Sequence, residues 1–356
     1  MKIGILTFHR AHNYGAVLQA YALVTYLRGQ GYQAEIIDYR PKSIENAHGT
    51  LPIGRLKNLS FVRKIIFLIK ILPYLPARYR RAKKFHTFIN SMPTSKDIYT
   101  DKFNSIKGYD YIIVGSDQVW NSHITNGLSP FYSGDIKSDA KWISYAASAE
   151  ITPHQKEVEQ YKNILKNFFK ISVREKIFQE QLQPLTEKKV WQVLDPIFLL
   201  SEKQWLHIAK FPFPEDDYIL VYQVKRHPRV LEYAKEWAKN TGCKVREITA
   251  EAEYATKDNR YMELSPEEFV GAFSQAKAVV TTSFHGTAFA VLFQKPVRTM
   301  MFNAPGDYRA LDLLRTIGLN DSAITLDSEP TSSIIGCIPS NLANMIKLSN
   351  SFLKFE

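Results

Sequence analysis

The residues best suited to chemistry stand in four short runs, each directly behind an apolar β-type run. His12, Asn13, Tyr14 and Gly15 follow Lys2 to Thr7; Gly115, Ser116 and Asp117 follow YIIV; Arg174 follows ISV; Ser283, Phe284, His285 and Gly286 follow AVVTT. A histidine moves protons near neutral pH, and a carboxylate such as Asp117 can accept a proton from a hydroxyl or orient one. The planar guanidinium of Arg174 suits a carboxylate or phosphate held by two parallel hydrogen bonds. Together these types describe proton transfer at hydroxyls beside an anionic group.

Each run also has a plain structural reading. In AHNYGAVLQAYAL the turn before a helix can hold an anion or a sugar hydroxyl, with Gly15 allowing close backbone approach, or Asn13 is simply a helix cap. In GSDQVWN, Ser116 or Asp117 could cap the next helix while Trp120 packs beneath it. Alternatively Asp117 and Ser116 meet a sugar, with Trp120 or Trp142 offering a flat apolar face to the ring. Arg174 in SVRE could be only a surface ion pair with Glu175. TTSFHGTAFAVLF is the sharpest local signal, because it sets His285 at the start of a helix rich in small residues. That helix end repels positive charge, so an anionic ligand there would favour the imidazolium acid.

The elements that must position these residues alternate: Lys2 to Thr7, a helix over Ala16 to Arg28, then Ala34 to Asp38, as in a parallel-sheet α/β fold. Further strands are expected at Tyr111 to Val114, Trp142 to Ala146, Ile171 to Val173 and Val190 to Leu194, with a helix over Pro153 to Phe169. The segment KFPFPEDD, 210–217, carries two prolines and three acids and marks a linker. A second doubly wound unit follows. It has strands at Tyr218 to Gln223, Lys244 to Ile248 and Lys277 to Thr281, and helices near Val230 to Lys239, Pro266 to Phe273 and from His285. The expected division is 1–209, linker 210–217, 218–340 and a helical tail 341–356. Ligands sit at the carboxyl ends of parallel strands, so two such domains facing each other would form a cleft lined by the four runs.

At 356 residues two domains are the natural expectation for a chain with 45% apolar and 23% charged residues. The N-terminus lacks the zones of a signal peptide, and no run reaches the roughly 18–20 apolar residues of a bilayer span. Cys243 and Cys337 form no metal or disulfide pattern and read as buried small groups. The net charge is +11, and ten basic residues between Arg55 and Lys84, with no acid among them, carry nearly all of the excess. Such a patch points to one anionic partner surface and not to nucleic acid. Val62, Ile65, Ile66, Ile69 and Leu72 recur at helical spacing with Arg63 and Lys70 beside them, and Pro73 and Pro76 should end that helix. It either packs on the core, followed by a solvated cluster Arg78 to Lys84, or docks on an anionic membrane.

Taken in order, NYGAVLQAYAL, DYIIVGSDQVWN, ISYAAS, SVRE, VLDP, TTSFHGTAFAVLF and YRALDLLRTIGL resemble the polysaccharide pyruvyl transferase family over nearly the whole chain. The resemblance implies two Rossmann-like domains similar to GT-B glycosyltransferases, with phosphoenolpyruvate as donor substrate and no cofactor. It also implies that a histidine and an arginine contact the donor. These fall on His285, with Ser283 and Gly286 beside it, and on Arg174, for which Arg309 competes. The chain departs from relatives after TIGL, where NDS replaces an acid followed by arginine, so an anion contact made there in relatives is in doubt.

The expected reaction moves the enolpyruvyl unit onto two hydroxyls of a sugar in a surface polysaccharide or its lipid-linked precursor. A ketal forms and phosphate leaves. His285 would serve as acid, Arg174 would bind the anion, and Asp117 with His12 would hold or deprotonate the acceptor; no metal is required. The expected location is cytoplasmic, peripheral at the inner face of the membrane. Two other readings stay open: a glycosyltransferase using a nucleotide sugar, and a non-catalytic protein binding glycan or anion.

Overall fold

Runs of Ile, Val and Tyr that must be covered on both faces make the central strands. YIIV, residues 111–114, is buried at every position, as is AVVT at 278–281. The computed structural model describes residues 1–41, 60–125, 127–149, 155–214, 216–250, 260–331, 334 and 339–355, with backbone alone at 61, 62, 70, 155–157 and 260. Arg55, Lys57 and Cys337, the expected start of a helix at Pro153, and the side chains of Val62 and Lys70 lie outside the described residues.

Seven strands form the first sheet: Lys2–Leu6 (β1), Gln33–Tyr39 (β2), Thr94–Tyr99 (β3), Tyr111–Val114 (β4), Lys141–Ala147 (β5), Lys170–Val173 (β6) and Val190–Gln192 (β7). They are parallel in the order β3-β2-β1-β4-β5-β6-β7. The second sheet holds Tyr218–Gln223 (β8), Lys244–Thr249 (β9), Arg260–Tyr261 (β10), Ala278–Thr281 (β11), Val297–Met300 (β12) and Ala323–Ile324 (β13). It too is parallel, in the order β10-β9-β8-β11-β12-β13. The order of winding therefore reverses between β1 and β4 in one sheet and between β8 and β11 in the other. Leu6 is paired with Val114, and Tyr222 with Thr281. The turns that leave each pair thus emerge side by side, where open parallel sheets hold ligands.

The longer helices are Tyr14–Gly29 (α1), Phe61–Ile71 (α2), Leu75–Ser91 (α3), Gln155–Asn167 (α4), Lys176–Leu182 (α5), Glu202–Ile208 (α6), Pro228–Thr241 (α7), Pro266–Gln275 (α8), Phe284–Leu292 (α9), Tyr308–Ile317 (α10) and Leu342–Phe352 (α11). Their ends carry sequence signals. Ser265 and Glu268 make a reciprocal capping box at α8, and Gly242 closes α7 with a left-handed φ of 70°.

The chain divides into two compact units that are not consecutive in sequence. Unit 1 comprises Met1–Gly49, Ile89–Leu200 and Ala343–Glu356; unit 2 comprises Thr50–Phe88 and Ser201–Leu342. The expected linker 210–217 therefore lies within unit 2. The basic stretch, expected in the first domain, belongs with the second. Arg81 shows why: its buried guanidinium donates to the carbonyls of Thr249, Ala250 and Met262 at 2.8–3.2 Å. Arg80 pairs with Glu263 and Lys84 with Glu268. The helix of the apolar stripe does end at Ile71, just ahead of Pro73, whereas Pro76 opens no break and sits in the first turn of α3, where its missing N–H is tolerated. The expected tail is α11, whose Ser349 hydroxyl accepts the Leu194 N–H of unit 1 at 2.9 Å.

Candidate functional site

In unit 1 the turns behind β1, β4, β5, β6 and β7 are tied into one buried network. Gln19, one turn into α1, donates to Thr7 Oγ1 at 2.7 Å and accepts the Ser116 N–H at 3.2 Å, while the Thr7 hydroxyl donates to the Ser116 carbonyl at 3.0 Å. Both backbone groups of Ser116 are thereby fixed. Its hydroxyl stands 2.9 Å from the Ala146 carbonyl and 3.1 Å from Asp195 Oδ2. Glycine is required at 115, where φ is 116° and an added Cβ would lie 2.3 Å from the Tyr145 carbonyl oxygen.

Arg174 joins β6 to β7. Its Nη1 donates to Asp195 Oδ2 at 2.9 Å and its Nε to Glu175 Oε1 at 2.8 Å, an oxygen that also accepts the Ser148 hydroxyl. Burial works against the charge on Arg174, but Glu175, Asp195 and Asp117 more than offset it and hold the pKa above the ordinary arginine value. A guanidinium already facing three carboxylates is poorly placed to take a further anion, in contrast with the expected donor contact. Its visible work is to hold the turns together.

Asp117 is the least buried member of this network, though still only 9% exposed. Its φ of 71° is a left-handed conformation that Asp tolerates better than most residues. One carboxylate oxygen accepts the Gln118 N–H at 2.9 Å; the other makes no hydrogen bond among the described residues. No helix begins at 117 for it to cap, since the next helical turn starts at Ser122. His12 is half-buried in the turn behind β1, and Asn13 caps α1 by accepting the Ala16 N–H at 3.2 Å.

Four residues expected on the acceptor side are corrected. Trp120 is fully buried, its indole N–H donates to the Tyr132 carbonyl at 2.9 Å, and Phe168 and Phe178 meet it edge-on, so it offers no face to a sugar. Trp142 is likewise core. Tyr14 is fully buried, and Gly15 is buried as well.

In unit 2, Ser283 caps α9 by accepting the Gly286 N–H at 3.3 Å, and His285 lies in the first turn, largely buried. Gly286 serves packing rather than ligand approach: a Cβ there would lie 2.3 Å from Thr281 Oγ1. Sequence reasoning missed the turn behind β8. The Thr282 hydroxyl accepts the N–H groups of Val224 and Lys225 and donates to the Lys225 carbonyl. Lys225 is thus latched to the strand end that carries His285. Its ammonium pairs with Asp307 at 3.3 Å, and a Cβ on Gly306 would lie 3.1 Å from Lys225 Nζ and 4.0 Å from Arg309 Nη2. Two cations therefore crowd Gly306, and Arg226, next to Lys225 in sequence, lies 3.7 Å from Glu247. The available signal was position: these residues follow β8, the partner of β11 at the reversal of strand order.

A second missed cluster lies behind β1 and β2. Asp38 accepts from both Arg10 and Arg40, and from the buried ring of His9 at 3.1 Å. Among the described residues no group of three His, Cys, Asp or Glu side chains could hold a metal ion, and no helix is long and apolar enough to cross a membrane.

Two parallel, doubly wound α/β units, each with its polar residues gathered where strand order reverses, define a tandem Rossmann-like protein. The chain belongs to the polysaccharide pyruvyl transferase family, whose model matches residues 13–301. Membership makes it a transferase of polysaccharide biosynthesis. No curated protein matches it. Solved structures similar to it include the UDP-GlcNAc 2-epimerase of Methanocaldococcus jannaschii in complex with UDP-GlcNAc and UDP, at 12% identity over 100% of this chain and 94% of that one, with a TM-score of 0.49. The Neisseria meningitidis UDP-GlcNAc 2-epimerase bound to UDP-GlcNAc is 10% identical over 99% and 100%, TM-score 0.43. The E. coli heptosyltransferase WaaC with ADP is 10% identical over 98% and 100%, TM-score 0.41. Similarity of this degree carries no information on substrate.

Proposed function

We propose that the protein transfers the enolpyruvyl unit of phosphoenolpyruvate to two hydroxyls of a sugar in a surface polysaccharide or its lipid-linked precursor. The observation that carries this reading is the pair of cations beside Gly306, Lys225 and Arg309, the first of them latched to the strand end of His285, in a member of this family. A donor bearing both carboxylate and phosphate calls for such cations around it.

In the proposed reaction Lys225 and Arg309 bind the donor anion and His285 protonates the methylene carbon. A sugar hydroxyl adds to the neighbouring carbon and yields its proton to Asp117. The carbon–oxygen bond to phosphate then breaks, and the second hydroxyl closes the ketal as it loses its own proton. His12 orients the acceptor, and Arg174, with Ser116 and Asp195, positions Asp117. On this reading the protein works in the cytoplasm and needs neither cofactor nor metal for the chemistry.

The test is incubation of the purified protein with oligosaccharide acceptors and either phosphoenolpyruvate or nucleotide sugars. Phosphate release with a pyruvate-ketal mass difference on the acceptor is the expected result. Release of nucleoside diphosphate instead would replace this reading with glycosyl transfer, and binding without turnover would make the protein a non-catalytic glycan or anion binder.

A further inference from the structure

Helix α2 has two apolar faces, and among the described residues only one of them is covered. Ile71 is buried and Phe67 partly so, which defines the side packed on the protein. At 100° per residue, Ile65, Ile66 and Ile69 fall on the opposite side, Leu68 lies on its flank, and Leu72 follows in the turn just after the helix. Each of these five is 42–65% exposed, and Tyr79 of α3 is 65% exposed. A continuous row of large aliphatic side chains turned to solvent is unusual for a surface with nothing upon it. It also answers the alternative left by the sequence, since the stripe is not core-packed.

The charges around this face identify what covers it. Arg63 and Lys64 lie at its two edges by helical spacing, where long cationic side chains can lay their stems on apolar surface and keep their heads among anionic groups. The run 55–84 contains no acid. Of the basic cluster that follows, Arg80, Arg81 and Lys84 are engaged within unit 2. Lys83 is exposed with no partner among the described residues. An apolar row with cations along both edges is complementary to a lipid surface, which offers acyl chains below a layer of phosphates.

We propose that α2 docks the protein on an anionic membrane, with Ile65, Ile66, Leu68, Ile69 and Leu72 entering the acyl boundary and Arg63, Lys64 and Lys83 meeting lipid phosphates. This deepens the functional reading by bringing the enzyme to a lipid-linked acceptor, but the contact itself depends on no turnover.

The experiment is cosedimentation of the full chain, without donor or acceptor, with vesicles of phosphatidylcholine alone or mixed with phosphatidylglycerol, at low and high salt. Binding to the anionic vesicles, weakened by salt, is expected. It should weaken about tenfold or more in the Ile65→Ser/Ile69→Ser/Leu72→Ser variant and again in the Arg63→Gln/Lys64→Gln/Lys83→Gln variant. Arg80→Gln, which removes an internally paired charge, should leave it nearly unchanged. Circular dichroism of each variant establishes that it is folded. No binding to anionic vesicles, or full binding by the serine variant, would overturn the proposal. So would a dimer in sedimentation velocity that this variant converts to monomer, because a second copy would then cover the face. A chain that binds vesicles but does not turn over phosphoenolpyruvate would overturn only the functional reading.

Discussion

The hydroxyl of Ser116 lies 3.1 Å from Oδ2 of Asp195, the same oxygen that takes Nη1 of Arg174. One carboxylate thus anchors both the β4 turn and the β6 turn. Asp195→Asn should lower stability by about 3–5 kcal/mol, the range for breaking a buried ion pair, and Arg174→Ala should do so by a similar amount. Urea unfolding measures both. A loss under about 1 kcal/mol for either would remove it from the network's framework.

Asp117 carries the acceptor chemistry in the proposed reaction. Asp117→Asn keeps the left-handed turn, because Asn tolerates that conformation, and should reduce turnover about 10²–10⁴-fold. Calorimetric titration with phosphoenolpyruvate should be unaltered. Unchanged turnover in this variant would reduce the residue to a turn-former.

On the unit 2 edge, charge and proton transfer should separate in steady-state kinetics. Lys225→Ala and Arg309→Ala are expected to raise the KM for phosphoenolpyruvate with a smaller effect on kcat. His285→Ala should lower kcat by about 10²–10⁴-fold. Wild-type kcat in the histidine variant would remove the proposed acid.

Gly286→Ala should destabilise the protein by about 1–3 kcal/mol, since its new methyl group would overlap Thr281 Oγ1. Adding Thr281→Ala should recover part of that loss. A double-mutant cycle without coupling would show that the glycine serves something other than packing.

Acid should reveal the cluster around Asp38. Burial alone would raise its pKa, but hydrogen bonds from His9, Arg40 and Arg10 prevail and hold it well below the usual carboxylate range. The stabilisation is therefore complete above the unfolded value of about 3.9 and is lost as pH falls through the lower folded value. Asp38→Asn should cost on the order of 3 kcal/mol at neutral pH and flatten the stability profile below about pH 4. A parallel profile for both proteins would contradict this.

Much of the fold was legible because buried parallel strands announce themselves. Tyr111–Val114 and Tyr218–Gln223 fall where the apolar runs lie, and α9 begins one residue before His285. β3 was not legible: TSKDIY is an edge strand, mostly exposed, with no apolar run to mark it. The site was readable as separate pieces only. GSDQ, ISYAAS, SVRE and VLDP all supply members of a single network, through Ser116, Ser148, Arg174 with Glu175, and Asp195, yet nothing in their spacing says that they bond to one another. Lys225 and Arg226 escaped because a lysine–arginine pair behind a strand looks like ordinary surface until β8 is seen beside β11. Trp120 and Tyr14 misled for the converse reason, since an aromatic ring near a turn points inward as readily as outward.

The bond from Leu194 to Ser349 spans 155 positions of the chain. Everything from Ser201 to Leu342, the larger part of unit 2, is synthesised between those two residues. On the ribosome the end of β7 therefore waits, its amide without the hydroxyl that will receive it, while a whole second sheet emerges. The last segment of unit 1 leaves the ribosome only after unit 2 has been synthesised.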